Sequence, residues 1–238
     1  MWTGSGSLNT SAAAEAGETR EPGRTNGTIN FDNGVDLSIW RQFDRTNGNA
    51  LQPFTGVTTS HPDPAIAPEC AEDIEVTVSS YVKWPNTVRP LLRPLAPARY
   101  LADRHRITCA TLGMDLVGEP LVPAPAHGLP IEYMEGPYRY EGTLWGKPVS
   151  GFAFNERSLA LYRDWELIEV LATTVANAEQ VAPDLQSAVD QVSPLVAAGR
   201  RGAAVELLTA VLPVQNDTLA TLLDDLIAVL SEQSAERT

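Results

Sequence analysis

Two glutamates stand at the ends of a short segment that is rich in aromatic residues. Glu135 and Glu156 enclose a turn sequence, Gly146-Lys147-Pro148, and the pattern predicts a β-hairpin over residues 133–156. Because strand side chains alternate between two faces, each strand of this hairpin has an aromatic face. These faces carry Tyr138 and Tyr140 on the first strand, and Phe152, Phe154 and Glu156 on the second. A carboxylate in line with aromatic rings loses hydration, so we expect a ligand pocket here.

The two glutamates could supply a proton to an unsaturated, apolar molecule. Protonation of a carbon–carbon double bond needs an acid that is held in a dry site near its operating pKa. Glu156 and Glu135 are therefore candidate catalytic acids. The alternative is structural: Glu135 would cap a turn, and Glu156 would form an ion pair at a strand end with Arg157 or Arg139. The sequence leaves both alternatives open.

His105 is the third candidate catalytic residue. It alternates with Ile107 and Cys109, a pattern that places its side chain on the interior face of a strand. There it could pair with a carboxylate as an acid–base couple. It could equally be a core histidine with satisfied hydrogen bonds. His61 and His127 lie among prolines, in predicted loops.

A group of aromatic side chains could line a pocket for a flat or polyene molecule, or could fill a small barrel completely. The predicted substrate-binding residues are Tyr133, Tyr138, Tyr140, Phe152, Phe154 and Trp40. No spacing of His, Cys, Asp or Glu predicts a metal site, and there is no glycine-rich phosphate loop or serine nucleophile motif. We therefore expect chemistry without a cofactor.

Residues 28–163 carry the signals of antiparallel β-structure. Asn33-Gly34 and Asn47-Gly48 are turn dipeptides, because both residue types tolerate positive φ. Apolar and polar residues alternate over residues 35–43, as in a strand with one apolar face. Short strands separated by glycine and proline predict a barrel or a sandwich. The prolines of residues 84–97 exclude a central strand, so that run predicts a loop across the barrel mouth or rim.

The remainder of the chain divides into a tail and a helical region. Residues 1–27 contain almost no large apolar side chains and predict a flexible tail. Residues 164–238 have helical spacing, and three prolines divide them into about four helical pieces. Those prolines are Pro183, Pro194 and Pro213. The apolar stripes of these helices must be covered by the barrel, by one another or by a partner.

Composition narrows the possible functions. The 238-residue chain has a net charge of −13, and an acidic protein repels phosphates, so we expect no binding to nucleic acid. No apolar run long enough for a membrane span and no secretory leader is present, so we expect a cytoplasmic protein. Cys70 and Cys109 lack metal-ligand spacing, and they could be free thiols or a disulfide.

The hairpin resembles the second half of the lipocalin-like family that includes carotenoid 1,2-hydratase, kievitone hydratase and the fungal lipocalin-like Diels-Alderases. The family pattern is Y-W-E-G, a strand, G-x-P-V-x-G and then G-Y-x-E. The matching residues are Tyr133, Glu135, Gly136, Pro148, Val149, Gly151 and Glu156. The upstream residues 112–116 and 119–121 resemble the preceding strand. Met134, Ala153 and Phe154 replace the family's tryptophan, glycine and tyrosine, so hydrogen bonds through those groups do not carry over.

The resemblance implies one antiparallel lipocalin-like β-barrel over residues 28–163, with an α-helical C-terminal extension. The Trp-Trp-Tyr signature of the family's first barrel has no counterpart in this chain. The resemblance also implies that the protein binds an apolar isoprenoid- or polyketide-like molecule in secondary metabolism, and hydrates or cyclises its double bonds. The alternative is a non-catalytic ligand-binding or partner subunit of a split two-barrel protein. The helical extension would then offer a surface for a protein partner or a homodimer.

Overall fold

The computed structural model describes residues 23–44, 50–51, 53, 55–83, 100–122, 126–127, 133–158 and 164–235. Its strands are β1 (Gly23–Phe31), β2 (Asp36–Asp44), β3 (Ala50–Leu51), β4 (Gly56–Ser60), β5 (Cys70–Ala71), β6 (Ile74–Val78), β7 (Tyr81–Lys83), β8 (Tyr100–Ala102), β9 (His105–Cys109), β10 (Met114–Pro120), β11 (Ala126–His127), β12 (Tyr133–Leu144) and β13 (Lys147–Ser158). Its helices are α1 (Asp164–Ala176), α2 (Pro183–Ala197), α3 (Arg201–Ala210) and α4 (Asp217–Ala235).

Most of the strands join one antiparallel sheet that curls into a nearly closed barrel. The strand order is β5-β4-β2-β1-β13-β12-β10-β9-β6, and the short β3 and β11 pair with β2 and β12. The two edge strands, β5 and β6, follow each other in the chain with only two residues between them, so the edges of the sheet lie near each other. β7 and β8 form a separate two-stranded ribbon. The predicted fold class is confirmed as a mainly β, antiparallel barrel with an α-helical C-terminal extension.

Alternation along each strand directs one face into the barrel. On β2, Leu37 and Ile39 are buried whereas Trp40 is exposed, as the pattern over residues 35–43 predicts. Ile29 of β1 and Leu116 of β10 belong to the same core and have no exposed surface. Full burial of each such side chain contributes about 1.5–3 kcal/mol, so the apolar faces hold the barrel closed.

The two ends of the barrel differ. At one end, tight turns join β1 to β2, β9 to β10 and β12 to β13. The first of them is the predicted Asn33-Gly34 turn, in which Gly34 has a φ of +82° and the Asn33 side chain accepts a hydrogen bond from the Val35 amide at 3.1 Å. At the other end, β6 leads into the β7–β8 ribbon and β13 leads toward the helices.

Asp73 fixes the turn between β9 and β10. Its carboxylate accepts hydrogen bonds from the Cys109 thiol at 3.0 Å and from the Thr111 amide at 2.8 Å. These two donors lower the pKa of Asp73 to about 2. Burial, together with the bond to Asp73, raises the pKa of the Cys109 thiol. Cys70 is exposed and Cys109 is buried, and both are free thiols, which decides between the two alternatives that the sequence left open.

The four helices pack around an aliphatic core of their own. Its fully buried leucines are Leu167, Leu171, Leu208, Leu222, Leu223, Leu226 and Leu230. Pro183 begins α2 and Pro213 lies between α3 and α4, but Pro194 lies inside α2 and does not divide it. The break between α2 and α3 falls instead at Gly199, whose φ is +74°. Glycine adopts this left-handed conformation at little cost, whereas Pro194 removes only one hydrogen-bond donor near the end of the helix.

The β7–β8 ribbon contacts both the helices and the barrel. Tyr100 of β8 is buried among the helices, and its hydroxyl donates to Asp225 Oδ2 of α4 at 2.9 Å. Lys83, which pairs with Tyr100 across the ribbon, forms a salt bridge with the same oxygen at 2.6 Å. On the barrel side, the Tyr138 hydroxyl donates to the Ala102 carbonyl at 3.3 Å. The ribbon is therefore fastened at both of its ends.

Several predictions fall on residues that the structure does not describe. These are most of the predicted tail, residues 1–22, the Asn47-Gly48 turn and the proline-rich run over residues 84–97. The predicted end of the tail at residue 27 lies inside β1, which begins at Gly23. No helix in the described part of the chain is long and apolar enough to cross a membrane.

Candidate functional site

Three buried polar side chains meet inside the barrel. The Nε2 atom of His105 lies 2.7 Å from the hydroxyl oxygen of Tyr140. The side-chain amide of Asn155 donates a hydrogen bond to the same oxygen, also at 2.7 Å. Only 8% of His105, 1% of Tyr140 and 5% of Asn155 is exposed. We call these three residues the polar cluster.

A glycine allows the imidazole and the phenol to reach each other. His105 belongs to β9 and Tyr140 to β12, and β10 lies between these two strands. Gly118 of β10 is paired with His105 on one side and with Tyr140 on the other. A Cβ atom at this position would lie 2.6 Å from Tyr140 Cε1 and 2.9 Å from His105 Nε2. The hydrogen bond therefore crosses an intervening strand only because residue 118 has no side chain.

A second glycine makes room for the carboxamide. Gly27 of β1 is paired with Asn155 of β13. A Cβ atom on Gly27 would lie 2.4 Å from Asn155 Oδ1, well inside any allowed contact. The Asn155 side chain therefore occupies space that a larger residue on β1 would fill.

Tyr138 covers the imidazole from one side. Its ring centroid lies 5.2 Å from that of His105, with the two planes tilted by 49°. The ring of Tyr140 stands edge-on to His105 at 5.6 Å. Burial raises the pKa of Tyr140, and the hydrogen bond from Asn155 only partly opposes this rise. Tyr140 is therefore a neutral phenol at ordinary pH.

Hydrogen-bond accounting gives the polar cluster two arrangements. A phenol has one proton to donate and two lone pairs that accept. The Asn155 amide occupies one lone pair of Tyr140. When Nε2 of His105 carries no proton, that nitrogen accepts the Tyr140 hydroxyl proton in a hydrogen bond. When Nε2 is protonated it donates to the second lone pair, and the Tyr140 proton must turn to another acceptor. A proton on Nε2 of His105 therefore directs the Tyr140 hydroxyl proton toward a third partner.

The structure brings together some of the predicted site residues. His105 faces the interior as predicted, and Tyr138 and Tyr140 lie beside it. The predicted placement of Phe152, Phe154 and Trp40 around an interior pocket is wrong. They lie on the outer face of the sheet, where 56%, 55% and 48% of each side chain is exposed.

The reason lies in how β12 and β13 share the interior. Tyr140 pairs with Gly151, and Tyr138 pairs with Ala153. Two large side chains on β12 fill the space, so β13 presents small residues inward and its phenylalanines outward. A Cβ on Gly151 would lie 2.5 Å from the Asn30 carbonyl oxygen, which leaves no room for a larger residue.

Glu156 follows Phe152 and Phe154 in alternation, as predicted, but that face of β13 is the outer one. It pairs with Asn26 on β1 and with Glu135 on β12. Glu156 therefore stands apart from the polar cluster. The side chains of Glu135 and Tyr133 lie outside the described part of the structure. The catalytic roles of Glu156 and Glu135, and the ligand contact of Tyr133, stay predictions.

Sequence reasoning missed Asn155 and Gly118. A signal for Asn155 was present, since it alternates in phase with Gly151 and Ala153, so a polar residue ends an inward row of small ones. Gly118 offers no comparable signal, because a lone glycine in a strand indicates close approach without naming the partner. Among the residues that the structure describes, no group of three or more His, Cys, Asp or Glu side chains could hold a metal ion.

No protein-family model and no curated protein sequence matches this chain. Among solved structures it is similar to kievitone hydratase from Nectria haematococca, with 14% identity and a TM-score of 0.46 over 58% of this chain. It is also similar to a protein of Nitrosomonas europaea with the provisional name AttH, with 12% identity and a TM-score of 0.43 over 57% of this chain. The matches span 40% and 38% of those two proteins, so this chain matches less than half of either.

Proposed function

We propose that the barrel binds a mainly apolar small molecule and adds water to one of its carbon–carbon double bonds. The observation that carries this proposal is the buried Tyr140 hydroxyl, which is held between His105 and Asn155. Because protonated His105 would turn the Tyr140 proton toward a third partner, the polar cluster can deliver a proton to a bound alkene. Hydration is also the reaction in the name of one structural neighbour, but the polar cluster alone carries the proposal.

Proton delivery would proceed as a relay. The Tyr140 hydroxyl proton moves to one carbon of the double bond while the proton on His105 Nε2 moves to the Tyr140 oxygen. This coupling matters because burial raises the pKa of Tyr140 and makes a free phenolate costly. The amide of Asn155 stabilises the negative charge that develops on the oxygen.

The second half of the reaction completes the addition. The neighbouring carbon becomes a cation, and the aromatic faces of Tyr138 and Tyr140 can stabilise it. A water molecule attacks this carbon and forms the new carbon–oxygen bond. The surplus proton of that water returns to His105, so the net change is the addition of one water molecule and the protein is restored. No cofactor takes part.

Binding without catalysis is the second candidate function. The raised pKa of Tyr140 favours it, since a weakly acidic hydroxyl is a better hydrogen-bond donor to a ligand oxygen than a source of protons. In that case the polar cluster would orient a ligand that bears a hydroxyl or a carbonyl group. The protein would then release the ligand chemically unchanged.

The test begins with identification of a ligand. Native mass spectrometry of freshly purified protein should reveal a co-purified apolar molecule. If none is retained, a panel of isoprenoid and polyketide alkenes is tested as substrates. Incubation in oxygen-18 water should give a product that is heavier by one labelled water molecule. A bound molecule that is never converted would overturn hydration and support the binding role.

A pair of variants on β12 then tests the assignment of the proton donor. We expect Tyr140→Phe to lower turnover roughly 100-fold or more, the usual scale for a lost general acid. Tyr138→Phe is the comparison variant, because it keeps an aromatic ring on the same strand and removes a hydroxyl that donates to the Ala102 carbonyl at 3.3 Å. Full turnover in a folded Tyr140→Phe protein would show that the polar cluster is not the source of the proton.

A further inference from the structure

The β7–β8 ribbon connects the helices to the polar cluster through a chain of hydrogen bonds. Asp225 of α4 holds the far end of this ribbon with one oxygen atom. Tyr100 donates to that oxygen at 2.9 Å and Lys83 lies 2.6 Å from it. Because Lys83 and Tyr100 are paired across the two strands, one carboxylate contacts both strands of the ribbon.

The near end of the ribbon joins the strand that carries His105. Two residues separate β8 from β9, and both are hydrogen-bonded to the two-residue link between β6 and β7. The Asp103 amide donates to the Ser80 carbonyl at 2.8 Å, and the Arg104 amide donates to the Ser80 hydroxyl at 3.1 Å. The Ser79 amide donates to the Arg104 carbonyl at 2.8 Å. The start of β9 therefore has little freedom to move independently of the ribbon.

A second route leads from the ribbon to the polar cluster through Tyr138. The carbonyl of Ala102, at the end of β8, accepts the Tyr138 hydroxyl at 3.3 Å. The ring of Tyr138 lies against His105 at 5.2 Å and near Tyr140 at 6.3 Å. Movement of Ala102 would therefore change the packing on both the imidazole and the phenol.

We infer that Asp225 is a positioning residue for the polar cluster, through which the helical region holds His105 and Tyr138 in place. The ribbon is short, since four residues separate Tyr100 from His105 and an extended strand rises about 3.3 Å per residue. Tyr100 is buried among the helices, and a buried hydroxyl that loses its hydrogen-bond partner destabilises the fold. The contact between Tyr100 and Asp225 is therefore held firmly. The inference rests on the proposed function only for its effect on turnover; the structural coupling can be measured without a substrate.

The test compares two neighbouring carboxylates on α4. Asp225→Asn removes the charge that Lys83 and Tyr100 share, whereas Asp224→Asn makes the same change at an exposed position of the same helix. In protein labelled with nitrogen-15, the side-chain amide of Asn155 reports directly on its bond to Tyr140. We expect Asp225→Asn to shift this resonance and to speed its hydrogen exchange roughly tenfold, as loss of a local constraint does. Asp224→Asn should leave both unchanged.

A general loss of stability must be separated from positioning. Backbone amides of β1 and β2, on the strands away from the ribbon, give the reference, and the exchange of Asn155 is measured relative to them. Tyr100→Phe serves where Asp225→Asn does not fold, because it keeps the buried ring and removes the hydrogen bond to Asp225. Unchanged relative exchange at Asn155 in a folded variant whose ribbon amides exchange faster would overturn the inference.

Turnover distinguishes this inference from the proposed function. If both hold, Asp225→Asn should lower kcat more than it changes KM, because it disturbs the proton relay and not the apolar contacts of a ligand. A coupled Asn155 resonance in a protein without hydratase activity would support positioning and overturn hydration. An active protein with an uncoupled Asn155 would do the reverse.

Discussion

The barrel and the helical region are built around different kinds of core. The helical core consists of leucine, isoleucine, valine and alanine, with Tyr100 as the one aromatic ring among its described buried members, and α1 also buries Glu166. The barrel buries an imidazole, a carboxamide and two phenols among its aliphatic side chains. An aliphatic core is stabilised mainly by the apolar area that it removes from water, whereas each buried polar group must keep its partner. The helical core therefore serves stability, whereas the barrel core also holds the polar groups on which the proposed proton relay depends.

The largest effect that this comparison predicts is a cavity in the helical core. Leu223 of α4 has no exposed surface. We expect Leu223→Ala to lower the free energy of unfolding by about 2–5 kcal/mol, since it removes buried methyl groups and leaves a void. Urea unfolding followed by far-ultraviolet circular dichroism measures the change. Thr221→Ala, at an exposed position of the same helix, is the control, and equal costs for the two variants would contradict an aliphatic core that dominates stability.

A smaller effect is predicted where a side chain is added beneath the polar cluster. Gly118→Ala would place its methyl group 2.6 Å from Tyr140, so either the phenol or the strand must shift. We expect a loss of about 1–3 kcal/mol of unfolding free energy, the usual cost of overpacking. Displacement of the His105 resonances in a nuclear magnetic resonance spectrum should accompany it.

The matched change in the helices should have the opposite sign. Gly202 of α3 has no neighbouring atom within 4 Å of an added Cβ. Gly202→Ala should therefore raise stability by about 0.5–1 kcal/mol, because alanine loses less backbone entropy in a helix. If Gly118→Ala and Gly202→Ala were both destabilising, or both neutral, the barrel and the helices would not differ in their tolerance of an added methyl group.

The smallest predicted effect is an acid-dependent one at the turn between β9 and β10. The pKa of Asp73 is lowered from 3.8 to about 2 in the folded protein, so its charged form favours folding. That contribution is present above the ordinary pKa and is lost as the pH falls through about 2. The melting temperature of Asp73→Asn should consequently fall less steeply than that of the parent between about pH 4 and pH 2. Glu72→Gln is the control, and an identical slope for Asp73→Asn would remove Asp73 from the acid response.

Local patterns predicted much of the barrel. The alternation over residues 35–43 identified β2 and its inward face, and Asn33-Gly34 identified a turn, because both signals depend only on neighbouring residues. The inward direction of His105 followed from Ile107 and Cys109 in the same way. Each of these predictions needed no knowledge of another strand.

The predictions that failed needed knowledge of the paired strand. Alternation correctly grouped Phe152, Phe154 and Glu156, yet it could not say whether that face was inside, because hydrophobic residues on an outer face give the same period. The answer depends on Tyr138 and Tyr140, which occupy the interior opposite Ala153 and Gly151. The polar cluster escaped prediction for the same reason, since its members come from three strands that the sequence does not align.

Gly118 also has a consequence for how the sheet chooses its alignment. Leu116 and Pro120 are the nearest residues to Gly118 on the same face of β10, and each carries a side chain. A two-residue slip of β10 against β12 would bring one of them beneath the Tyr140 ring, where even a Cβ atom collides. Such a slip would keep the apolar face inward, so hydrophobic pattern alone would not forbid it. Because residue 118 has no side chain, the observed register of β10 against β12 fits beneath Tyr140, and the registers shifted by two residues do not.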